Sequence, residues 1–150
     1  MLGRKVLPNA FGLEIAAHGV KVLQLSRRGR VIQLDFADSQ PLPEGSFIDG
    51  EIKKPQNVKE AIATILKKNQ AKITTGVVTC LSESQTFLQS ITVNRENSGS
   101  FQDRLRETLP EYLPLAIDEA FYDTKIIAEK QSAWQVCVGA ASKKQIESYL

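Results

Sequence analysis

The sequence predicts an α/β (α+β) fold of two small units, and three observations carry that prediction. Three period-two segments between Phe11 and Ala37, separated by short turns, predict an antiparallel meander. A helical stripe from Asn57, followed by the apolar run Gly76–Leu81, predicts a crossover that returns to the same sheet. After Ser82 a second series of strand, helix, strand and strand begins, so a mixed sheet with its helix is followed by a smaller α/β unit.

In the first unit Phe11, Leu13 and Ile15 alternate with Gly12, Glu14 and Ala16, the pattern of a strand with one buried face. A tight reversal at Ala17, His18 and Gly19 leads into V-K-V-L-Q-L-S. Residues Arg27–Arg30 form a second turn with Gly29 available for positive φ, and Ile32, Leu34 and Phe36 mark the third strand. Pro41, Pro43, Gly45, Gly50 and Pro55 make residues 40–56 a loop crossing the sheet edge. Asn57 reads as a helix N-cap with Glu60 as its box partner. Val58, Ala61, Ile62, Ile65 and Leu66 form the apolar stripe, while Lys59, Lys67 and Lys68 face solvent, the last two complementing the negative helix end.

In the second unit Phe87, Gln89, Ile91 and Val93 predict a strand, and residues 94–100 a polar loop. Ser100 and Asp103 read as a capped helix start, with Phe101, Leu105 and Leu109 on one face. Pro110 kinks or ends that helix, and Pro114 stops it. Phe121–Ala128 and Trp134–Ala141 predict two strands joined by E-K-Q-S. Ser142 caps a last helix with Gln145 as its box partner, and the stripe Ile146, Tyr149 and Leu150 reaches the last residue before completing two turns, as expected of a piece of a larger design.

Composition narrows function. The chain has 150 residues, 42% apolar and 24% charged, with a net charge of +2. That balance suits an ordinary globular protein of one domain or two interlocked small ones, too short for a large multidomain enzyme. So small a positive excess is no nucleic-acid footprint, and the longest apolar run, Val136–Ala141, is far shorter than the 18 or so residues of a membrane span. No direct membrane insertion is expected. Pro8, Asn9 and Glu14 interrupt any signal-peptide core, which predicts a cytoplasmic protein. Cys80 and Cys137 lie in apolar runs and read as buried reduced thiols. The single histidine, His18, leaves a His-rich metal site or a His-based triad hard to build, and a Cys80–His18 nucleophile is disfavoured in an apolar strand. Asp118 and Glu119 point apart and read as two solvated charges. No phosphate-binding, dinucleotide, zinc-protease or serine-hydrolase motif is present.

One constellation carries chemistry. Residues 12–25, G-L-E-I-A-A-H-G-V-K-V-L-Q-L, resemble the first phosphate-binding hairpin of actin-like ATPases, in which an acid, a hydrophobic residue, glycine and a polar turn precede a lysine on the next strand. Backbone N–H groups in such a turn face an anion, the acid can hold a hydrated metal, and the lysine adds positive charge. Glu14, Ala16, Ala17, His18 and Lys21 are therefore the candidate cofactor-binding residues. Glu14 stands where the family has aspartate, Ala16 replaces the glycine that allows close phosphate approach, and His18 replaces a small hydroxyl residue; Lys21 matches. The alternative reading makes Glu14, His18 and Lys21 polar residues of a solvent-facing hairpin.

Further motifs follow in order: P-L-P-E-G-S-F-I-D-G-E-I-K, the Asn57 helix, the strand reaching Cys80, Y-L-P at Tyr112–Pro114, D-E-A-F-Y-D, and A-A-S-K-K-Q-I-E-S-Y. Across residues 10–150 this order resembles the N-terminal half of the PilM family, actin-like proteins of type IV pilus and related secretion machines, themselves similar to FtsA. The resemblance implies an actin-like first subdomain, residues 1–82, and an inserted FtsA/PilM-type subdomain, residues 83–150. It implies a non-enzymatic cytoplasmic adaptor, held at the inner membrane through its partners. Those partners are the N-terminal segment of a PilN-like inner-membrane protein and other assembly components, with no nucleic acid. The segment is expected in a groove between the two subdomains, with Pro41–Gly50 as one wall. No cofactor is expected, ATP and Mg binding requiring a complete C-terminal half. The alternatives are part of an actin-like ATPase whose nucleotide site that half would complete, and a repurposed scaffold that self-associates through its strand edges.

Overall fold

A computed structural model describes residues 10–70, 75–95 and 99–150 of the chain. The stretch M-L-G-R-K-V-L-P with Asn9, and residues 96–98 of the expected polar loop, lie outside the described residues. The chain divides into two compact units, one ending at Ser82 and the other running Glu83–Leu150.

The first unit opens with β1 (Ala10–Ala16), β2 (Gly19–Arg28) and β3 (Val31–Pro41), an antiparallel meander as its alternation predicts. The strands run longer than the sequence pattern marks them. The second turn shrinks to Gly29 and Arg30, with Gly29 at φ 62. A bulge between Gln24 and Leu25 shifts the β2–β3 register and leaves Asp35 unpaired in the ladder. Within the region read as loop, β4 (Phe47–Ile48) and β5 (Glu51–Ile52) form a miniature hairpin turned by Asp49 and Gly50, both at positive φ.

Helix α1 (Pro55–Lys68) starts two residues before the expected cap. Proline suits the first helical turn because its missing N–H is not needed there. Lys54 is the N-cap and makes no side-chain capping bond, its ammonium donating to the Glu44 carbonyl, whereas the Asn57 amide donates to Ser46 Oγ at 2.8 Å. Ser46 is fully buried, and its carbonyl accepts from the N–H groups of Lys53 and Lys54, so Asn57 fastens the preceding loop rather than capping the helix. Val58, Ala61 and Ile65 of α1 are buried, as are Phe11, Ile15, Val20, Val22 and Phe36 of the meander, and α1 packs on β2 and β3. Strand β6 (Gly76–Thr79) returns parallel to β1, giving the mixed order β3-β2-β1-β6. It ends before Cys80, which is exposed and not the buried thiol expected; Cys137 is half-buried.

The second unit begins with a 3-10 turn at Glu83–Gln85, followed by β7 (Thr86–Asn94). Helix α2 (Phe101–Tyr112) has the predicted capping box: Ser100 Oγ accepts from the Asp103 N–H while Asp103 accepts from the Ser100 N–H. Pro110 sits inside α2 and does not end it; the helix closes two residues later, where the Leu113 N–H reaches the Leu109 carbonyl at 3.0 Å. A proline so close to the C-terminus leaves only two helical residues after it, so its one missing N–H bond and any kink disturb little of the helix. Strands β8 (Ala120–Glu129) and β9 (Ala133–Ser142) complete an antiparallel sheet of order β7-β9-β8. Leu105, Leu109 and Leu113 pack on Ile91, Val93, Val136 and Val138. The last helix, α3 (Lys143–Glu147), is capped through Ser142 Oγ on the Gln145 N–H. The reciprocal half of the expected box is absent, because the Gln145 side chain is buried.

Candidate functional site

The β1–β2 hairpin fixes the candidate residues by register. Glu14 pairs directly with Lys21, and Ala16 with Gly19, so the turn is Ala17 and His18 alone. Lys21 Nζ lies 3.0 Å from Glu14 Oε1, with the two side chains 63% and 60% exposed. Each charge answers the other. Both side chains remain largely hydrated, so the pair is a weak one. Ala17 and His18 are exposed at the turn, where the His18 carbonyl accepts from the Leu42 N–H at 3.4 Å. The structure thus joins Glu14 to Lys21, with the pairs Ile15–Val20 and Ala16–Gly19 between them and the turn at Ala17 and His18.

Close approach of backbone explains Gly19. A Cβ there would stand 2.6 Å from the Gln40 carbonyl oxygen, closer than a side chain allows, and a tight 3.2 Å from Pro41 Cα. The turn is therefore pressed against the end of β3, which locks the hairpin.

Alternation sends Glu14, Lys21, Gly12 and Leu23 to the sheet face opposite α1. That face carries a cavity of about 900 Å³ with Gly12, Leu23, Ala37, Val78 and Cys80 among its walls, beside the Glu14–Lys21 pair. Leu23 and Val78 are 43% and 51% exposed. Such a surface accepts apolar side chains and offers a bound backbone one neutralised ion pair. Among the described residues, no cluster of His, Cys, Asp or Glu could hold a metal ion, and no helix is long and apolar enough to cross a membrane.

Three polar arrangements escaped the sequence pattern. Asp38 accepts from Lys68 and from Asn69, each at 3.0 Å, tying β3 to the end of α1; the Lys68 ammonium foremost, then the Asn69 amide, hold its carboxyl below the ordinary range. Arg95 binds Glu129 at 2.7 Å and lies 4.3 Å from the centre of the Trp134 ring. Gln145 is buried with neither amide atom bonded among the described residues. The first depends on how the end of α1 packs on β3 and the second on strand register, neither of which exists before the chain is folded.

The family profile described as type IV pilus assembly protein PilM matches residues 12–150. The chain belongs to the PilM family. It is similar to a chain of the solved PilM-PilN type IV pilus biogenesis complex, with a TM-score of 0.73 and 25% identity, over 94% of this chain and 42% of that one. It shares its fold with the cytoplasmic domain of EpsL, an inner-membrane component of the type II secretion system of Vibrio cholerae. There the TM-score is 0.51 and the identity 9%, over 93% of this chain and 50% of that one. This PilM-type chain spans half or less of the length of either solved relative. The mixed α+β architecture described above matches that PilM structure.

Proposed function

We propose that this PilM-type chain is a non-catalytic adaptor of a type IV pilus or related secretion assembly. It works in the cytoplasm, held at the inner membrane through a PilN-like protein whose N-terminal cytoplasmic segment it binds. In this reading residues 1–82 are an actin-like subdomain and residues 83–150 the FtsA/PilM-type insertion. The family match over residues 12–150 and the similarity to a PilM-PilN complex support it.

The observation on the molecule that carries the reading is the Glu14–Lys21 pair beside an open apolar cavity. Phosphate recognition is favoured by positive charge and close backbone approach, whereas in this hairpin Lys21 faces the Glu14 carboxylate and Ala16 carries a Cβ. An extended or helical segment with apolar side chains, in contrast, gains by covering Leu23 and Val78. Pulldown with N-terminal peptides of PilN-type proteins encoded beside this chain tests the reading. Capture of such a peptide supports it; a folded protein that captures none contradicts it.

A second reading, the nucleotide half-site, draws on one observation: Glu14 and Lys21 do occupy opposed positions on the first hairpin. Titration of Mg-ATP into the wild type and a Lys21→Ala variant separates the two. Binding that depends on Lys21 favours the nucleotide site, and no binding in either favours the adaptor.

A further inference from the structure

Beyond the bulge at Gln24 and Leu25 the β2–β3 hairpin leaves the core. Gln24 and Phe36, each 6% exposed, are the last buried pair. The ladder then continues through Leu25–Leu34, Ser26–Gln33, Arg27–Ile32 and Arg28–Val31, a reach of about 13 Å at a strand's rise per residue. Along this reach Leu25 and Leu34 are 51% and 55% exposed, and Val31 and Ile32 at the tip are each 66% exposed. Paired residues share a face, so Leu25, Leu34, Arg27 and Ile32 lie on one face and Ser26, Gln33, Arg28 and Val31 on the other, and at the tip each face carries one exposed apolar side chain beside an arginine.

The tip is also basic. Arg27, Arg28 and Arg30 are exposed, and none has an ion-pair partner among the described residues. The nearest acid on these two strands, Asp35 at the bulge, accepts from Ser26 Oγ at 2.7 Å and from the Gln24 amide at 3.4 Å. Three other cations of the same unit are ion-paired: Lys21 with Glu14, Lys53 with Glu51 and Lys68 with Asp38. Three guanidinium groups without an ion-pair partner among the described residues are thus gathered within residues 27–30, beside exposed Val31 and Ile32.

From this arrangement we propose that the β2–β3 tip docks on an anionic lipid surface, Val31 and Ile32 entering the headgroup layer while Arg27, Arg28 and Arg30 bind lipid phosphates. Charge complementarity selects the partner, and shape selects the class. A narrow convex tip cannot enclose a peptide, but it enters a deformable interface to the depth that interfacial elements reach. Guanidinium groups bind phosphate in two-pronged fashion, and each basic group near such a surface strengthens binding about fivefold. Two apolar side chains and three arginines give weak, reversible attachment. That suits a protein already held near the membrane, because stable attachment generally takes two signals.

Co-sedimentation of the full chain with vesicles of phosphatidylcholine and phosphatidylglycerol, against pure phosphatidylcholine, tests this. Binding is expected to the anionic vesicles only and to weaken with added salt. Replacing Arg27, Arg28 and Arg30 together by alanine should lower it about 100-fold, and Val31→Ser with Ile32→Ser about tenfold. Lys53→Ala with Lys54→Ala, which changes net charge elsewhere, should leave binding unchanged. Far-UV circular dichroism establishes that each variant is folded. An Ile32→Trp variant should show blue-shifted emission on anionic vesicles. Equal sedimentation of the arginine variant, no binding by the wild type, or no shift for Ile32→Trp would each overturn the proposal. So would binding of an acidic polypeptide by the tip in the absence of any vesicle binding.

Discussion

Lys21 and Glu14 face each other across the β1–β2 ladder at 3.0 Å, and both stay mostly exposed to solvent. Exposed pairs of this kind add little to stability because water competes for both charges. Lys21→Ala should therefore shift the unfolding free energy by less than about 1 kcal/mol in urea titrations. A larger loss would mean that Lys21 has a structural role beyond the ion pair.

Two glycines of the meander separate close approach from backbone conformation. At Gly19 an added methyl meets the Gln40 carbonyl at 2.6 Å; at Gly29, with φ 62, nothing lies within 4 Å. Gly19→Ala should cost at least about 2 kcal/mol because the hairpin must shift. Gly29→Ala should cost about 1 kcal/mol, the penalty of the left-handed conformation alone. Denaturant midpoints of the two variants check the order.

Asp38 supplies an acid-sensitive tie between β3 and α1. Its folded carboxyl is held low by Lys68 and then Asn69, so its contribution is complete above the ordinary aspartate value of about 3.9. That contribution fades as pH falls through the lowered folded value. Asp103 behaves likewise through its bonds to Ser100. Asp38→Asn should be less stable than wild type at neutral pH, with the difference shrinking under acid conditions. A urea series at stepped pH measures this, and a difference that grew on acidification would contradict it.

Gln145 carries a buried amide whose atoms find no partner among the described residues. Replacing it with methionine keeps length and removes the desolvated polar group. Gln145→Met should raise stability by about 1 kcal/mol, read from thermal or urea unfolding. Destabilisation would reveal a bonding partner for the amide.

Much of the fold is legible in the sequence because its strands have one clean buried face: Phe11 and Ile15 in β1, Val20 and Val22 in β2, Ile91 and Val93 in β7. The α1 stripe and the Ser100–Asp103 box are legible for the same local reasons. What escapes is decided by distant partners. Asn57 has the chemistry of a cap, yet Ser46 lies within its reach; Cys80 sits in an apolar run, yet the strand ends before it. The β4–β5 hairpin hides among prolines because two-residue strands have too little alternation to register. Of the site, the opposition of Glu14 and Lys21 follows from the hairpin, but the cavity needs β6 set beside β1, a pairing between residues far apart in sequence.

Calorimetric titration of a PilN-type N-terminal cytoplasmic peptide into the wild-type chain, and into folded Leu23→Asp and Val78→Asp variants, bears most directly on the adaptor role. The expected result is saturable one-to-one binding that weakens at least about tenfold when either charge enters the cavity, as burial of an unpaired carboxylate requires. Absence of heat with any such peptide, alongside Lys21-dependent binding of Mg-ATP, would contradict the adaptor role and favour the nucleotide site.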